Sequence, residues 1–170
     1  MPTIADAVYP REDFPRDLEV QVLDFLRMEW AESFRDERFR DRLWDGTTHF
    51  VRAAGNVLVS HAMVIPIELV RDGRSLRIGG VASVLTYPQF RGEGHGAAVM
   101  RAAGGYITRQ RFDVGMLFTA SDTERFYARL GWTTLEPGRV VVGGRPPDDV
   151  VMILGDGSAL PDLLALDWSW

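Results

Sequence analysis

A glycine-rich hexapeptide, Arg91–Gly96, constrains the fold of this 170-residue chain more than any other feature of its sequence. It follows a strand-like run that ends at Thr86, and it precedes a stretch of small residues, from Ala97 to about Arg111, that predicts a helix. A glycine loop at the start of a helix directs backbone N–H groups and the positive end of the helix dipole outward. Glycines also let a ligand approach the main chain closely. The hexapeptide therefore predicts a site for a phosphate-bearing cofactor.

Two common phosphate-binding loops fit this segment poorly. A P-loop requires a lysine, and the chain contains none. A dinucleotide-binding fingerprint can be aligned with Gly92, Gly94 and Ala97, with Asp113 at about the right distance. That fingerprint begins directly at a strand end, whereas Tyr87–Phe90 intervene here and no second βαβ half follows. A tight turn that caps the helix is the simplest alternative, but it would not require three glycines and an arginine.

Composition narrows the classes of protein to which the chain can belong. The length predicts one domain, residues 1–170, large enough to bury a substantial core. The chain has no cysteine, no apolar stretch of membrane-spanning length and no signal-peptide pattern at its first residues, which predicts a cytoplasmic protein with no membrane partner. A net charge of −5 argues against a nucleic-acid partner. The three histidines lack the spacing of metal ligands, so no metal is predicted.

Hydrophobic periodicity predicts the order β-α-α-β-β-β-α-β-α-β-β. This order predicts an α/β (α+β) fold, with a mixed, mostly antiparallel central sheet of about seven strands and helices on both faces. The predicted strands are Thr3–Tyr9, Thr48–Ala54, Val57–Val70, Ser75–Thr86 and Val114–Thr119, with shorter ones near Trp132–Leu135, Arg139–Val142 and Val150–Leu154 that complete the sheet. The predicted helices are Arg16–Phe34, Ala97–Arg111 and Asp122–Leu130, with a charged helix or turn at Arg35–Trp44.

The pattern Arg-x-x-Gly-x-Gly, after Val84-x-Thr86 and Pro88, resembles the acyl-CoA loop of the GNAT superfamily of N-acetyltransferases. The predicted order of elements is also the order of that superfamily. The resemblance implies acetyl-CoA (coenzyme A) as co-substrate, with the strand backbone paired to the pantetheine amides as an added strand would be. It implies that His95 contacts phosphate or solvent. The implied cofactor-binding residues are Val84, Leu85, Thr86, Arg91, Gly92, Glu93, Gly94, His95 and Gly96.

A second segment, Phe126–Trp132, carries the same resemblance. Taken alone, it predicts an amphipathic helix that ends at a capping glycine, Gly131. Beside the glycine loop, it is similar to the GNAT segment in which a tyrosine lies near the sulfur of the cofactor. A phenol there can donate a proton or a hydrogen bond to the departing thiolate. The resemblance implies a general-acid role for Tyr127; the alternative is a core tyrosine with a satisfied hydroxyl.

Roughly residues 47–170 are similar to the aminoglycoside 2′-N-acetyltransferases. In that family the terminal carboxylate helps to bind a polycationic substrate, and the resemblance implies the same for the carboxylate of Trp170. The alternative is a mobile chain end. The similar segments are Val57–Ile65, Arg77–Val81, Tyr127–Trp132 and Asp167–Trp170.

The chain departs from that family at two positions near the substrate. Ala82 stands where the family has a glutamate close to the acceptor amine, and Phe118 stands where it has a serine. The predicted substrate-binding groups are Ala82, Phe118, Ser83 and the terminal carboxylate of Trp170. An ammonium must lose a proton before its nitrogen can attack. Glu68 is the predicted base, because its strand lies beside that of Ala82; the terminal carboxylate and His61 are alternatives, although a hydrogen-bonded core histidine is favoured for His61.

These features predict an enzyme that moves an acetyl group from acetyl-CoA directly to a primary amine of a small cationic molecule, for example an aminoglycoside. Two alternatives stay open. One is an acyl-CoA-binding module of the same fold without efficient catalysis, which the loss of a carboxylate at Ala82 suggests. The other is an acetyltransferase that acts on a peptide or protein amine. Edge strands of the sheet could also pair into a homodimer.

Overall fold

The computed structural model describes residues 3–31, 46–71 and 73–167. The predicted segment 35–44 and Trp170 lie outside these residues. The first predicted helix, Arg16–Phe34, is too long, because the helix ends at Glu29. The described strands are β1 (Ile4–Pro10), β2 (Thr48–Ala54), β3 (Val57–Arg71), β4 (Arg74–Thr86), β5 (Val114–Thr119), β6 (Thr133–Thr134), β7 (Val140–Val142), β8 (Val150–Leu154) and β9 (Leu164–Leu166). The described α-helices are α1 (Arg16–Glu29), α2 (His95–Arg109) and α3 (Glu124–Ala128), and 3₁₀ turns lie at Arg11–Asp13 and Pro88–Phe90.

Seven strands form one sheet in the order β1-β2-β3-β4-β5-β8-β6. The pairs β1/β2, β2/β3, β5/β8 and β6/β8 are antiparallel, whereas β4 and β5 are parallel. A parallel pair needs a long crossover connection, and the chain between β4 and β5 contains the glycine loop and α2. The predicted fold class, a mixed α/β fold with a mostly antiparallel sheet of about seven strands, is confirmed.

The prediction for the strand at Arg139–Val142 is wrong in one respect. This segment, β7, does not complete the seven-stranded sheet; it pairs in parallel with β9, and Val140 lies opposite Leu164. Strand β9 was not predicted from the sequence. Its three residues alternate buried, exposed and buried, and a pattern that short cannot be separated from a loop without knowledge of its partner.

The described chain divides into two compact units. The first unit contains the residues up to Ile65 together with Ser83–Ala103, and the second contains Pro66–Ala82 together with the residues from Gly104 onward. Each unit has its own apolar core. The prediction of a single domain stays a prediction.

Helix α1 supplies much of the core of the first unit. It begins after Pro15, and Asp17 in its first turn suits the positive end of the helix dipole. Its buried residues, Leu18, Val22, Phe25 and Leu26, follow the helical period, which places them on one face of the helix. The buried cluster consists of Phe14, Leu18, Val22, Phe25, Leu26, Val51, Leu58 and Leu85.

The second unit has a core of strand residues. Phe118 and other half-buried side chains pack against it. The buried cluster consists of Ile78, Val114, Met116, Val140, Val151, Ile153, Leu160, Leu164 and Leu166. Among the helices that the structure describes, none has the length and apolar character needed to span a bilayer.

Candidate functional site

The glycine loop has an open face beside its backbone. Gly92 and Gly94 have φ values of +86° and +83°, in the left-handed region that glycine tolerates best. A Cβ atom built on either glycine would meet nothing within 4 Å. The positive φ values therefore favour glycine, and the open space beside the loop lets a ligand reach the main chain.

Helix α2 begins at His95, two residues before the predicted start. The N–H of Ala98 donates to the carbonyl oxygen of Gly94 at 3.1 Å. The N–H groups of His95, Gly96 and Ala97 come before this bond, so the geometry of an α-helix leaves them without intrahelical acceptors. Three outward N–H groups at the positive end of a 15-residue helix can bind an anion. We call the loop and these groups, Gly92–Ala97, the anion-binding cradle.

Arg91 connects the loop to the end of β4. Its Nε donates to the carbonyl oxygen of Thr86 at 3.0 Å. Its guanidinium also lies 3.7 Å from the Glu29 carboxylate and 5.9 Å from the centre of the Phe25 ring. About half of the side chain is exposed. The guanidinium of Arg91 can therefore bind an anion while its hydrogen bond to Thr86 holds the loop against β4.

The structure contradicts solvent contact for the His95 side chain, whereas its contact with phosphate stays a prediction. The side chain is buried, and its Nδ1 lies 3.0 Å from an Arg52 guanidinium nitrogen. Since arginine only donates, Nδ1 accepts, and the other ring nitrogen donates to Glu93 at 3.2 Å. Arg52 in turn forms an ion pair with Asp6 at 2.7 Å. The buried hydrogen bonds of His95 thus hold the glycine loop in place. No local sequence pattern predicted that Arg52 and Asp6 would support His95.

The predicted cofactor-binding strand, Val84–Thr86, has an unusual backbone at its start. β4 pairs with β5 from Ile78 to Gly80 and then continues for six residues to Thr86. Within this continuation Ser83 has a φ of +49°. A left-handed residue interrupts the pleat and redirects the peptide groups that follow it. We call this feature the Ser83 kink.

Histidines 49 and 61 form a buried pair in the first unit. Nδ1 of His49 lies 2.9 Å from Nε2 of His61, and Nδ1 of His61 lies 2.8 Å from the carbonyl oxygen of Ser83. Burial lowers the pKa of His61 to about 4 and, with the nearby His61 and Arg11, lowers the pKa of His49 to about 2. Both rings are therefore neutral at pH 7. His61 has the hydrogen-bonded core environment that the sequence favoured.

The low pKa values of this pair predict a loss of stability in mild acid. Their folded-state pKa values lie below the ordinary 6.5, so the unfolded chain takes up protons first. These two histidines should add no pH dependence to the free energy of unfolding above pH 7. This free energy should fall below pH 6.5 by up to about 1.4 kcal/mol per pH unit for each histidine. Urea unfolding between pH 7.5 and 5.0 measures this slope. His95→Gln should retain it, and a stability that is flat over this window would contradict the prediction.

Tyr127 lies in the short helix α3 of the second unit. Its side chain is only 9% exposed, and burial raises the pKa of the phenol to about 12 despite a hydrogen bond with the Thr119 side chain. Its carbonyl accepts from the N–H of Leu130 at 2.8 Å, and Gly131 has a φ of +89°, as a C-capping glycine does. The phenol is therefore protonated throughout the neutral range and can act as a donor.

Glu68 is not the cross-strand neighbour of Ala82. Its Oε1 accepts from Ser75 Oγ at 2.7 Å, at the hairpin end of β3 and β4. Ser75 precedes Ala82 by seven residues, which is roughly 20 Å along a strand. The two strands are neighbours as expected, but Glu68 does not lie across from Ala82; its catalytic role stays a prediction. Ala82 itself is buried, directly before the Ser83 kink.

Phe118 has an apolar environment. Phe118 lies in β5 opposite Val151 and packs against the apolar core of the second unit. Within the described ranges, no group of three or more His, Cys, Asp or Glu side chains is arranged to hold a metal ion. Substrate binding by Phe118 stays a prediction.

Comparison with known proteins identifies relatives in sequence. The family described as "Acetyltransferase (GNAT) domain" matches residues 13–135. An aminoglycoside 2′-N-acetyltransferase from Mycolicibacterium fortuitum is 31% identical over 144 residues, which cover 78% of this chain and 71% of that protein. Both matches include the glycine loop.

Solved structures share the fold. An acyl-CoA N-acyltransferase from Pseudomonas aeruginosa has a TM-score of 0.67 at 15% identity, with 90% of this chain and all of that chain covered. A conserved protein from Enterococcus faecalis has a TM-score of 0.60 at 21% identity and covers 75% of this chain. The chain spans only 32% of the length of that second protein.

Proposed function

Because the chain belongs to the GNAT family of acetyltransferases and is an acyl-CoA-dependent N-acyltransferase, we propose that it moves an acetyl group from acetyl-CoA directly to a primary amine of a small cationic molecule. The observation that carries the proposal is the anion-binding cradle at Gly92–Ala97. Aminoglycosides are the first acceptors to test, since a relative at 31% identity is named for that activity.

The residues of the cradle fit the cofactor. The pyrophosphate would lie on the N–H groups of His95, Gly96 and Ala97, in the space that a Cβ on Gly94 would enter. Main-chain groups of Val84–Thr86 would pair with the pantetheine amides as an added strand does. Acetyl-CoA supplies the thioester whose acetyl group is transferred.

Tyr127 is the proposed general acid. Its phenol, protonated because burial raises its pKa to about 12, would donate to the sulfur as the C–S bond breaks and the new C–N bond forms. The ammonium of the acceptor must first give up a proton. Glu68, the terminal carboxylate of Trp170, or a water chain would accept it, because Ala82 offers no carboxylate where the related family has one.

Thiol release from acetyl-CoA tests this proposal. The acceptor panel should contain aminoglycosides, linear polyamines and short peptides, with CoA affinity measured by calorimetry alongside. We expect CoA binding and turnover with at least one class of cationic small molecule. Turnover with peptides only would show that the acceptor is a peptide or protein amine and not a small molecule. Tight CoA binding without turnover would favour a binding module, and gain of turnover in Ala82→Glu would then identify the missing base.

The proposal includes a cytoplasmic location and a homodimer. β1 and β6 are the edge strands of the seven-stranded sheet, and Val8 on β1 is 54% exposed. An edge of this kind can pair with a second copy. Light scattering coupled to size-exclusion chromatography measures the assembly state directly, and a monomer at micromolar concentration would remove the dimer from the proposal.

A further inference from the structure

The buried pair of His49 and His61 has no part in the chemistry proposed above. Both rings are fully buried, and Phe14 stacks on His49 with ring centroids 4.0 Å apart. Burial of a polar ring is unfavourable unless hydrogen bonds offset its desolvation. The hydrogen bonds of His61 therefore indicate which part of the fold the pair supports.

His61 is oriented from both sides of its ring. Its Nδ1 lies 2.8 Å from the carbonyl oxygen of Ser83. A carbonyl can only accept, so Nδ1 of His61 carries the proton and its Nε2 is the acceptor for His49, at 2.9 Å. The carbonyl of Ser83 thus sets the tautomer of His61, and His49 donates from its Nδ1 to Nε2 of His61.

The Ser83 kink requires such support. A residue with a Cβ atom is strained at a φ of +49° and stays there only when its surroundings hold it. His61 holds the carbonyl of Ser83, and Oγ of Ser60 donates to the carbonyl of Leu85 at 2.8 Å. Two consecutive side chains of β3 thus turn alternate carbonyls of β4 toward β3.

The remaining peptide groups of this segment face the other way. Successive carbonyls of a strand point to opposite edges, so those of Val84 and Thr86 point away from β3. The carbonyl of Thr86 agrees with this, because it accepts from the side chain of Arg91. This outward edge is the one that the proposed function assigns to pantetheine.

We propose that His61 is a positioning residue of the acyl-CoA site: its Nδ1–H holds the Ser83 carbonyl toward β3, so that the main chain of Val84–Thr86 presents its outer edge to the pantetheine arm. The inference rests on the proposed function. It assigns His61 to the binding of the cofactor and not to the removal of a proton from the amine.

Two amide substitutions separate this role from simple filling of volume. His61→Asn keeps an N–H donor at the δ position, whereas His61→Gln moves it one bond further out. Both remove the ring, so they share the loss of packing. We expect CoA affinity within about threefold of the wild type for His61→Asn and at least tenfold weaker for His61→Gln, with no rise in kcat for either. Leu164→Ala, in β9 of the second unit, controls for general loss of stability, since it should weaken folding without changing CoA affinity.

Hydrogen exchange in the absence of CoA gives a second readout. The amides of residues 84–87 should exchange faster in His61→Gln than in the wild type, and at nearly the wild-type rate in His61→Asn and Leu164→Ala. Equal CoA affinity in His61→Gln and the wild type, with unchanged exchange, would overturn the inference.

The wild type provides a test that does not depend on folded variants. The Nδ1–H signal of His61, observed by nitrogen-15 NMR, should shift as CoA is added. A signal that does not move at saturation overturns the inference. If calorimetry shows that the wild type binds no CoA, the proposed function fails, and so does the assignment of this strand edge to pantetheine. The exchange rates would still report whether His61 holds the backbone of β4.

Discussion

Gly94→Asp is expected to weaken the binding of CoA by at least a hundredfold. The φ of +83° at this position strains any residue with a Cβ atom, and the new side chain would enter the open space beside the loop. Its carboxylate would stand where the cradle is proposed to hold pyrophosphate. Repulsion between like charges about 5 Å apart at a protein surface costs about 3 kcal/mol, which corresponds to more than a hundredfold in affinity.

Two variants separate charge from backbone strain in this experiment. Gly138→Asp places the same side chain at a similar φ of +88°, also with nothing within 4 Å, but in the turn before β7. It should keep wild-type CoA affinity. Gly94→Ala adds the strain without the charge and should lose less affinity than Gly94→Asp. Calorimetric titration with CoA measures all three, and micromolar affinity in Gly94→Asp would show that the loop does not bind the pyrophosphate.

Tyr127→Phe is expected to lower kcat by about a hundredfold or more, as loss of a general acid does, and to leave CoA affinity nearly unchanged. The substitution keeps the buried ring and removes only the hydroxyl. Thr119, which shares a hydrogen bond with that hydroxyl, retains a partner in Thr123 at 2.5 Å. The helix should therefore survive, and the loss should appear in turnover and not in folding.

The pH profile and a matched control complete the experiment on Tyr127. Because burial raises the pKa of the phenol to about 12, ionisation of Tyr127 should not reduce wild-type turnover below pH 11. Tyr9→Phe removes a hydroxyl from β1 in the first unit and should leave kcat unchanged. If Tyr127→Phe turned over at the wild-type rate, Tyr127 would not be the general acid and would have only a structural role in the core.

Residues near one another in the chain determined much of the fold. The bounds of β2, β5 and β8 agree with those predicted, because their apolar runs end at strong turn signals or at glycine. The start of α2 was predicted two residues late. Its first turn contains His95 and Gly96, which have weak helix propensity but are held by the loop before them.

The glycine loop could be located from sequence because its requirement is local. Positive φ at Gly92 and Gly94 and free N–H groups at a helix start depend on a few consecutive residues. The supports of the loop are not local: Arg52 reaches His95 across 43 positions of the chain. Nothing in the local pattern around His95 distinguished a side chain that faces phosphate from one buried on Arg52.

The sequence by itself determined the sheet-forming segments, the glycine loop and the resemblance that leads to acyl-CoA. Tertiary structure alone decided that Glu68 lies beside Ser75 and not beside Ala82, that β7 pairs with β9, and that His61 holds the carbonyl of Ser83. The physical reason is the range of each interaction. Backbone propensities, turns and helix ends depend on a few neighbouring residues, whereas buried hydrogen bonds and strand registers depend on partners that only the folded chain brings together.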